Sequence, residues 1–349
     1  LVHDQPFIIP NYRWWEGAFY TIGLKFYDLL AGKYSLGRSV HIPKKEVLEK
    51  LPGVSPAGLR GGVVYHDGQF DDSRLAIDLL HAFFNHGGLA LNYTEVMGLE
   101  KENERVSGVV FRDRVENKNY SVQAGVVMNA TGVWVDEIMK MDRPGHRPTI
   151  RPSQGVHVVL DKMFMPGDHA LMIPKTSDGR VLFAVPWHGR LVVGTTDTPV
   201  NHANPEPEAL EEEIEFILTT ASAYLERKVE RSDVLSVFAG LRPLAAPKDE
   251  HSGTKEISRN HKIIVSESKL ITVIGGKWTT YRKMGEDMID TAIKSGLLKP
   301  TASLSKTFRL NGYGGAGVPF SIYGENAGDI AELAKEQPEL DALVHPELP

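Results

Sequence analysis

Three cationic side chains stand close to the ends of apolar runs in a chain that is otherwise acidic. Arg242 lies in Gly240-Leu-Arg-Pro, Arg259 in Ile257-Ser-Arg-Asn, and Lys277 in Gly275-Gly-Lys-Trp-Thr-Thr-Tyr-Arg282. A guanidinium presents a planar fork that matches phosphate or carboxylate oxygens, so the three together could form a small anion site. Any one of them alone reads more simply as a surface charge or half of a salt bridge, because charges are seldom buried without partners. The stretch from Gly275 to Arg282 is the most informative. Gly275 and Gly276 allow close backbone approach. The helix start that follows offers free N–H groups and a positive dipole end. Lys277, Thr279 and Thr280 add polar groups beyond those of a plain strand-to-helix turn.

A second turn has the same small-residue character. Asn129-Ala130-Thr131-Gly132-Val-Trp134 follows an apolar run from Gly125. Small residues there would let a ribose or pyrophosphate reach the backbone; an ordinary strand-end turn explains them equally well. His157 follows Ser153-Gln-Gly155 in an alternating strand, where it could accept a proton in a cleft or serve as a satisfied structural histidine. Asp197, in Thr195-Thr-Asp, caps or orients a loop. Gly312-Tyr-Gly-Gly-Ala-Gly317 matches G-x-G-x-x-G, but no buried strand precedes it and Pro319 follows, so it reads as a glycine-rich linker. No histidine and carboxylate spacing suggests a metal site, and no G-x-S-x-G elbow occurs.

Composition narrows the classes. A chain of 349 residues with 42% hydrophobic content can form two or three domains. A net charge of -6 argues against nucleic-acid binding, so an anionic substrate needs a local cationic cluster. The absence of cysteine excludes disulfides, zinc–thiolate sites, iron–sulfur clusters and a cysteine nucleophile. The sequons at Asn92 and Asn119 read as chance matches. No apolar run reaches the roughly 18–20 residues that span a bilayer. Leu1-Val-His-Asp-Gln-Pro6 reads as the interior of a longer chain, so a fragment is expected.

These residues need elements to position them. Residues 12–30 read as a helix with Trp15, Phe19, Ile22, Phe26 and Leu29 on one face. That face either packs on its own protein or lies on a membrane, although it lacks the basic polar face of a surface helix. Residues 40–64 read as loops and short strands. A helix capped by Asp72 or Ser73 carries Leu75, Leu79, Phe83 and Phe84 and ends at Gly87-Gly88; a short strand over 89–91 follows. Strands at 106–111 and 120–122 form a hairpin. Strands at 157–160, 181–185 and 191–193 favour an antiparallel sheet. A helix with Leu210, Ile214, Ile217, Leu218, Ala221 and Leu225 precedes a strand at 234–238. Strands at 263–265 and 270–274 lead to a helix with Tyr281, Met284, Met288 and Ile289 inward. From about Ala327 the chain is helical again. The interleaving suggests an α/β nucleotide-binding part interrupted by an antiparallel part.

Seven motifs in order carry a resemblance. They are Tyr-x-Asp-Gly with Asp-Asp-x-Arg-Leu (65–75), Asn-Ala-Thr-Gly-x-Trp (129–134), Ser-Gln-Gly-x-His (153–157), Val-Gly-Thr-Thr-Asp (193–197), Gly-Leu-Arg-Pro-Leu (240–244), Ile-Ser-Arg (257–259) and Gly-Gly-Lys-x-Thr-Thr-Tyr-Arg (275–282). Over nearly all of residues 11–310 the chain resembles the FAD-dependent, quinone-linked glycerol-3-phosphate dehydrogenases of the D-amino acid oxidase-like superfamily.

The resemblance implies a doubly wound α/β FAD-binding fold, missing its first βαβ unit and interleaved with an antiparallel-sheet substrate domain. Residues 1–64 and 146–257 would form the substrate domain and 65–145 and 258–298 the FAD domain. Residues 299–349 would be a linker and the start of a C-terminal helical domain. It implies oxidation of sn-glycerol 3-phosphate to dihydroxyacetone phosphate, hydride leaving C2 for flavin N5 and electrons passing to a membrane quinone. A peripheral location on the cytoplasmic face of the cell membrane follows from that acceptor. Arg242, Arg259 and Lys277 would surround the phosphate and the flavin; His157, from its own place in the strand, is the candidate for taking the C2 hydroxyl proton. Gly275, Gly276, Lys277, Thr279 and Thr280 would lie beside the isoalloxazine, and Ala130, Thr131, Gly132, Trp134 and the backbone near Val96 on the adenosine side.

The family's first strand, its G-x-G-x-x-G turn, its acidic ribose ligand and another active-site arginine would precede Leu1. Without them the fragment is expected to hold FAD weakly or not at all. The rival readings are an O2-using glycerophosphate oxidase, a flavin enzyme for amino or hydroxy acids, and an inert binding module. A short segment between Arg242 and Arg259 favours the dehydrogenase over the oxidase. The quaternary state, a homodimer included, stays open.

Overall fold

The computed structural model describes residues 2–246, 261–310, 313 and 321–342. Arg259 and most of the 312–317 glycine run lie outside the described residues. The chain opens with three strands: β1 (Val2–Asn11), β2 (Val40–Pro43) and β3 (Gly61–Phe70). Here β3 is flanked by β1 and β2, antiparallel to both. Helix α1 (Glu16–Ala31) follows β1, helix α2 (Lys44–Lys50) follows β2, and helix α3 (Asp72–Asn85) follows β3.

Several local expectations change here. Residues 40–64 contain α2, whose Val47 is buried, besides loops and short strands. The N-cap of α3 is Asp71, one residue earlier than expected, and its carboxylate accepts from the Arg74 N–H at 3.0 Å. The 89–91 run forms no strand. Strand β3 runs straight through the 64/65 position expected for a domain boundary.

Three antiparallel strands follow as a meander: β4 (Thr94–Glu102), β5 (Arg105–Asp113) and β6 (Lys118–Gln123). The chain then forms β7 (Met128–Asn129), α4 (Val135–Asp142), β8 (Ile150–Asp161), β9 (Ala170–Ile173), β10 (Leu182–Trp187), β11 (Arg190–Gly194), β12 (Thr198–Pro199), α5 (Glu211–Ser222) and β13 (Val234–Ala245). The large sheet has the order β13-β8-β11-β10-β9-β1-β3-β2, with β12 following β11 along the same edge of β8. Alternation sorts its two faces. Val156, Val158, Leu160, Leu171, Ile173, Leu182, Leu191 and Val193 are fully buried against Ile214, Ile217 and Leu218 of α5 and Val47 of α2. Ser153, Gly155 and His157 therefore face the other way.

A second sheet is made from β14 (Lys262–Val265), β15 (Ile271–Ile274) and β7. Strands β15 and β7 run parallel, with Ile271 opposite Met128 and Thr272 opposite Asn129. Helix α6 (Tyr281–Lys294) lays Met288 and Ala292 against β15, while Ile289, expected inward, is exposed. Helix α7 (Ala327–Glu336) starts where the sequence placed it. The two sheets meet where Val135, Ile150 and Ile274 pack together.

Asp136 fastens this junction. Its carboxylate accepts from the Thr149 hydroxyl, the Thr149 and Ile150 N–H groups and His146. Burial alone would raise its pKa, but those bonds outweigh burial and hold it below the usual carboxylate range. Because Leu160 sits at the centre of the main core, Leu160→Ala should cost about 2–5 kcal/mol in urea unfolding. Val122→Ala, on the exposed face of β6, should change stability by less than about 0.5 kcal/mol.

Candidate active site

The outward face of β8 and β13 places a base beside a cation. Register sets Arg242 opposite Ser153, Gly240 opposite Gly155 and Phe238 opposite His157. The Arg242 side chain folds back across Gly155. A Cβ at Gly155 would stand 2.2 Å from Arg242 Nη2, so only glycine leaves room for the guanidinium. Likewise a Cβ at Gly194, opposite His157 on β11, would stand 2.3 Å from His157 Cδ2.

Arg242 donates through Nη1 to the Thr196 carbonyl at 3.0 Å and through Nη2 to the Thr195 hydroxyl at 2.8 Å. Asp197 Oδ1 lies 3.7 Å from Nη1 and also accepts from the Ser153 hydroxyl. Asp197 thus does orient a loop, the one on which Arg242 rests.

His157 stacks on Phe238, with ring centroids 5.0 Å apart and planes 11° from parallel. Burial, and then the nearby Arg242 charge, push its pKa down from 6.5 to about 4. The imidazole is therefore neutral at pH 7 and able to accept a proton. Phe238 carried no sequence signal beyond its place in an apolar run.

Two glycine turns close the carboxyl ends of the parallel strands β7 and β15. Gly132 has φ 60°, Gly275 φ 68° and Gly276 φ 85°, all in the left-handed region. The carboxyl edge of parallel strands is where doubly wound folds bind nucleotides. The open backbone of these turns, with Ala130, Thr131 and Lys277 through Thr280 exposed, fits a dinucleotide cofactor laid across that edge.

Buried Asn129 shapes the first turn. Its Oδ1 accepts from the Thr131 hydroxyl at 2.7 Å and its Nδ2 donates to the Val135 carbonyl at 3.0 Å. The signal for this was an amide ending an apolar run. In the second turn the Thr280 hydroxyl donates to the Lys277 carbonyl at 2.9 Å, so it is spent on the turn itself. Trp134 is half-buried, and the segment Gly132–Trp134 touches β8 and β13, which brings the first turn to the substrate sheet. Val96 is half-buried, its side chain packed against the cluster of Val106, Ile138 and Leu270. The structure thus unites His157 with Arg242 on one sheet and Ala130–Gly132 with Gly275–Gly276 on the other. Arg259, the third cation of the expected cluster, falls outside the described residues.

The family described as FAD dependent oxidoreductase matches residues 15–282. The chain is 44% identical over 308 residues to glycerol-3-phosphate dehydrogenase SDP6, mitochondrial, of Arabidopsis thaliana, covering 86% of this chain and 48% of that protein. It is 41% identical over 316 residues to glycerol-3-phosphate dehydrogenase, mitochondrial, of Homo sapiens, covering 88% and 43%. The chain thus spans about half the length of these relatives. Among solved structures, glycerol-3-phosphate dehydrogenase from Bacillus halodurans complexed with FAD superposes with a TM-score of 0.78 at 28% identity, over 98% of this chain and 66% of that one. Glycine oxidase from Bacillus cereus, at 20% identity and a TM-score of 0.61, shares the fold. The chain belongs to the FAD-dependent oxidoreductase family.

Proposed function

We propose that the protein of this chain oxidises sn-glycerol 3-phosphate to dihydroxyacetone phosphate and passes the electrons to a membrane quinone. The observation that carries this reading is the pairing of the Arg242 fork with a neutral His157 on one sheet face. It is supported by relatives named for that activity and by the two glycine turns at the neighbouring strand ends. FAD, when bound, supplies the acceptor for the hydride that leaves substrate C2.

The chain's own residues do the remaining work. Arg242, with Arg259 and Lys277, binds the phosphate and so sets the position of C2. His157 takes the proton of the C2 hydroxyl as the carbonyl forms, which needs the neutral imidazole that burial maintains. Residues 1–64 and 146–257 serve as the substrate part, with β3 extending it to Phe70, and the two turns serve the cofactor part.

Peripheral attachment to a membrane accompanies this reading. Among the described residues no helix is long and apolar enough to cross a membrane. Helix α1 buries none of its residues, and Phe19, Ile22, Phe26 and Leu29 are 62%, 60%, 63% and 74% exposed. The simpler expectation, that this face packs on its own protein, is not met by the described residues. Aromatic side chains at both ends, Trp14 and Tyr34, suit the interface between water and lipid.

Four results test the proposal. Glycerol 3-phosphate should bleach the bound flavin in stopped flow, and a short-chain quinone should reoxidise it much faster than O2; fast reoxidation by O2 with stoichiometric peroxide would make it an oxidase. His157→Asn should lower kcat by about 10²–10⁴-fold. In the unmodified protein the His157 NMR resonances should titrate near 4, and a midpoint near 6.5 would show that neither burial nor the Arg242 charge acts on the imidazole. Because the folded pKa is the lower one, the stability linked to His157 is complete above pH 6.5. It is lost as pH falls toward 4, a loss of roughly 3 kcal/mol. Replacing Phe19 and Phe26 together by Ser should cut co-flotation with lipid vesicles at least about tenfold. Flavin reduction by glycerol 3-phosphate should be unaffected, and undiminished flotation would assign the attachment elsewhere.

A further inference from the structure

We propose that Glu213, on α5, is the positioning residue that holds Arg242 in its phosphate-binding geometry. This rests on the reading of Arg242 as a phosphate ligand. Glu213 is 5% exposed. A carboxylate taken out of water is costly unless each oxygen finds donors, and this one finds four. Its Oε1 accepts from the hydroxyls of Thr196 at 2.8 Å and Thr198 at 2.5 Å. Its Oε2 accepts from Gln154 Nε2 at 2.7 Å and from the Leu210 N–H at 3.1 Å. Burial raises its pKa, but the bonds from Thr198, Leu210, Thr196 and Gln154 prevail and hold it below the ordinary value.

The bond to Leu210 is the familiar reach of a third helical residue back to the N-cap. That role alone needs neither burial nor the other three donors. Those come from Thr196 and Thr198 of the loop on which Arg242 rests and from Gln154 of β8. The Thr196 hydroxyl is used twice: it donates to Glu213 and accepts from the Val156 N–H of β8 at 2.9 Å. With the side chain pinned at both ends, the Thr196 peptide has one orientation. Its carbonyl meets Arg242 Nη1 while the Thr195 hydroxyl meets Nη2. Thr198 and Gln154, paired across β12 and β8, brace the far side of the same loop. The path is therefore Glu213 to Thr196 to Arg242, contiguous hydrogen bonds with Arg242 at the cleft end. The sequence hid it, because Glu213 closes a run of three glutamates at a helix start, where a solvated charge is the ordinary reading.

The test uses the FAD-loaded protein and two probes, inorganic phosphate by calorimetry and glycerol 3-phosphate by steady-state kinetics. Thr196→Val removes the hydroxyl at nearly constant volume, Thr196→Ser restores it, and Glu213→Gln removes the charge. Thr196→Val and Glu213→Gln should weaken phosphate binding and raise KM about tenfold, the scale of one lost charge-assisted bond, with kcat within about twofold. Thr196→Ser should stay within about twofold of the unmodified protein. In an Arg242→Ala background Thr196→Val should cause no further loss, because the effect passes through Arg242.

Equal losses with and without Arg242, or unchanged phosphate binding in folded Thr196→Val and Glu213→Gln, would overturn the proposal. So would an unmodified protein whose phosphate binding does not need Arg242. Should Glu213→Gln not fold, the Thr196 pair in the two backgrounds decides the matter. A protein that binds phosphate through Arg242, yet whose flavin is not reduced by glycerol 3-phosphate, would sink the substrate assignment and leave the positioning role standing.

Discussion

Strand β8 is locked by one face against the apolar core, and the placing of the cleft residues depends on that lock. Val156, Val158 and Leu160 are fully buried beneath α5. Side chains alternate along a strand, so Ser153, Gly155 and His157 must project from the opposite face. A slip of one residue would bury His157 and drive the three apolar side chains into the cleft. Register is thereby set by hydrophobic burial, and the polar chemistry inherits its positions from it.

Two close approaches turn that face into a site. Gly155 leaves the space in which the Arg242 guanidinium lies, and Gly194 leaves the space for the His157 ring. The cation and the neighbouring apolar ring of Phe238 both bear on His157. Desolvation and like charge act in the same direction on an imidazole, so it remains neutral. The second sheet supplies a different resource. Its parallel strands end in turns with positive φ, where backbone groups rather than side chains face a ligand. Packing of Val135, Ile150 and Ile274, with the Asp136 clamp, holds the two halves in one arrangement.

Helix α1 shows the limit of pattern reading. The spacing of Trp15, Phe19, Ile22, Phe26 and Leu29 correctly marks an amphipathic helix. Periodicity says that a face is apolar, but not what covers it, and among the described residues nothing buries it. Strand β1 and helix α2 carry no clear period for a related reason. Both are built from stretches rich in proline or lysine, whose local preferences give way to pairing with β3 and to burial of Val47.

The sequence by itself determined the element types with strong periods, the two small-residue turns, the candidacy of His157 and Arg242, and the family resemblance. Those features are local, because each is written in residues a few positions apart. Only the tertiary structure decided that Gly155 makes room for Arg242, that Phe238 stacks on His157, and that Glu213 is a buried hub instead of a solvated charge. Each of those facts joins segments distant along the chain, and strand register and helix docking alone bring them within hydrogen-bonding or van der Waals reach.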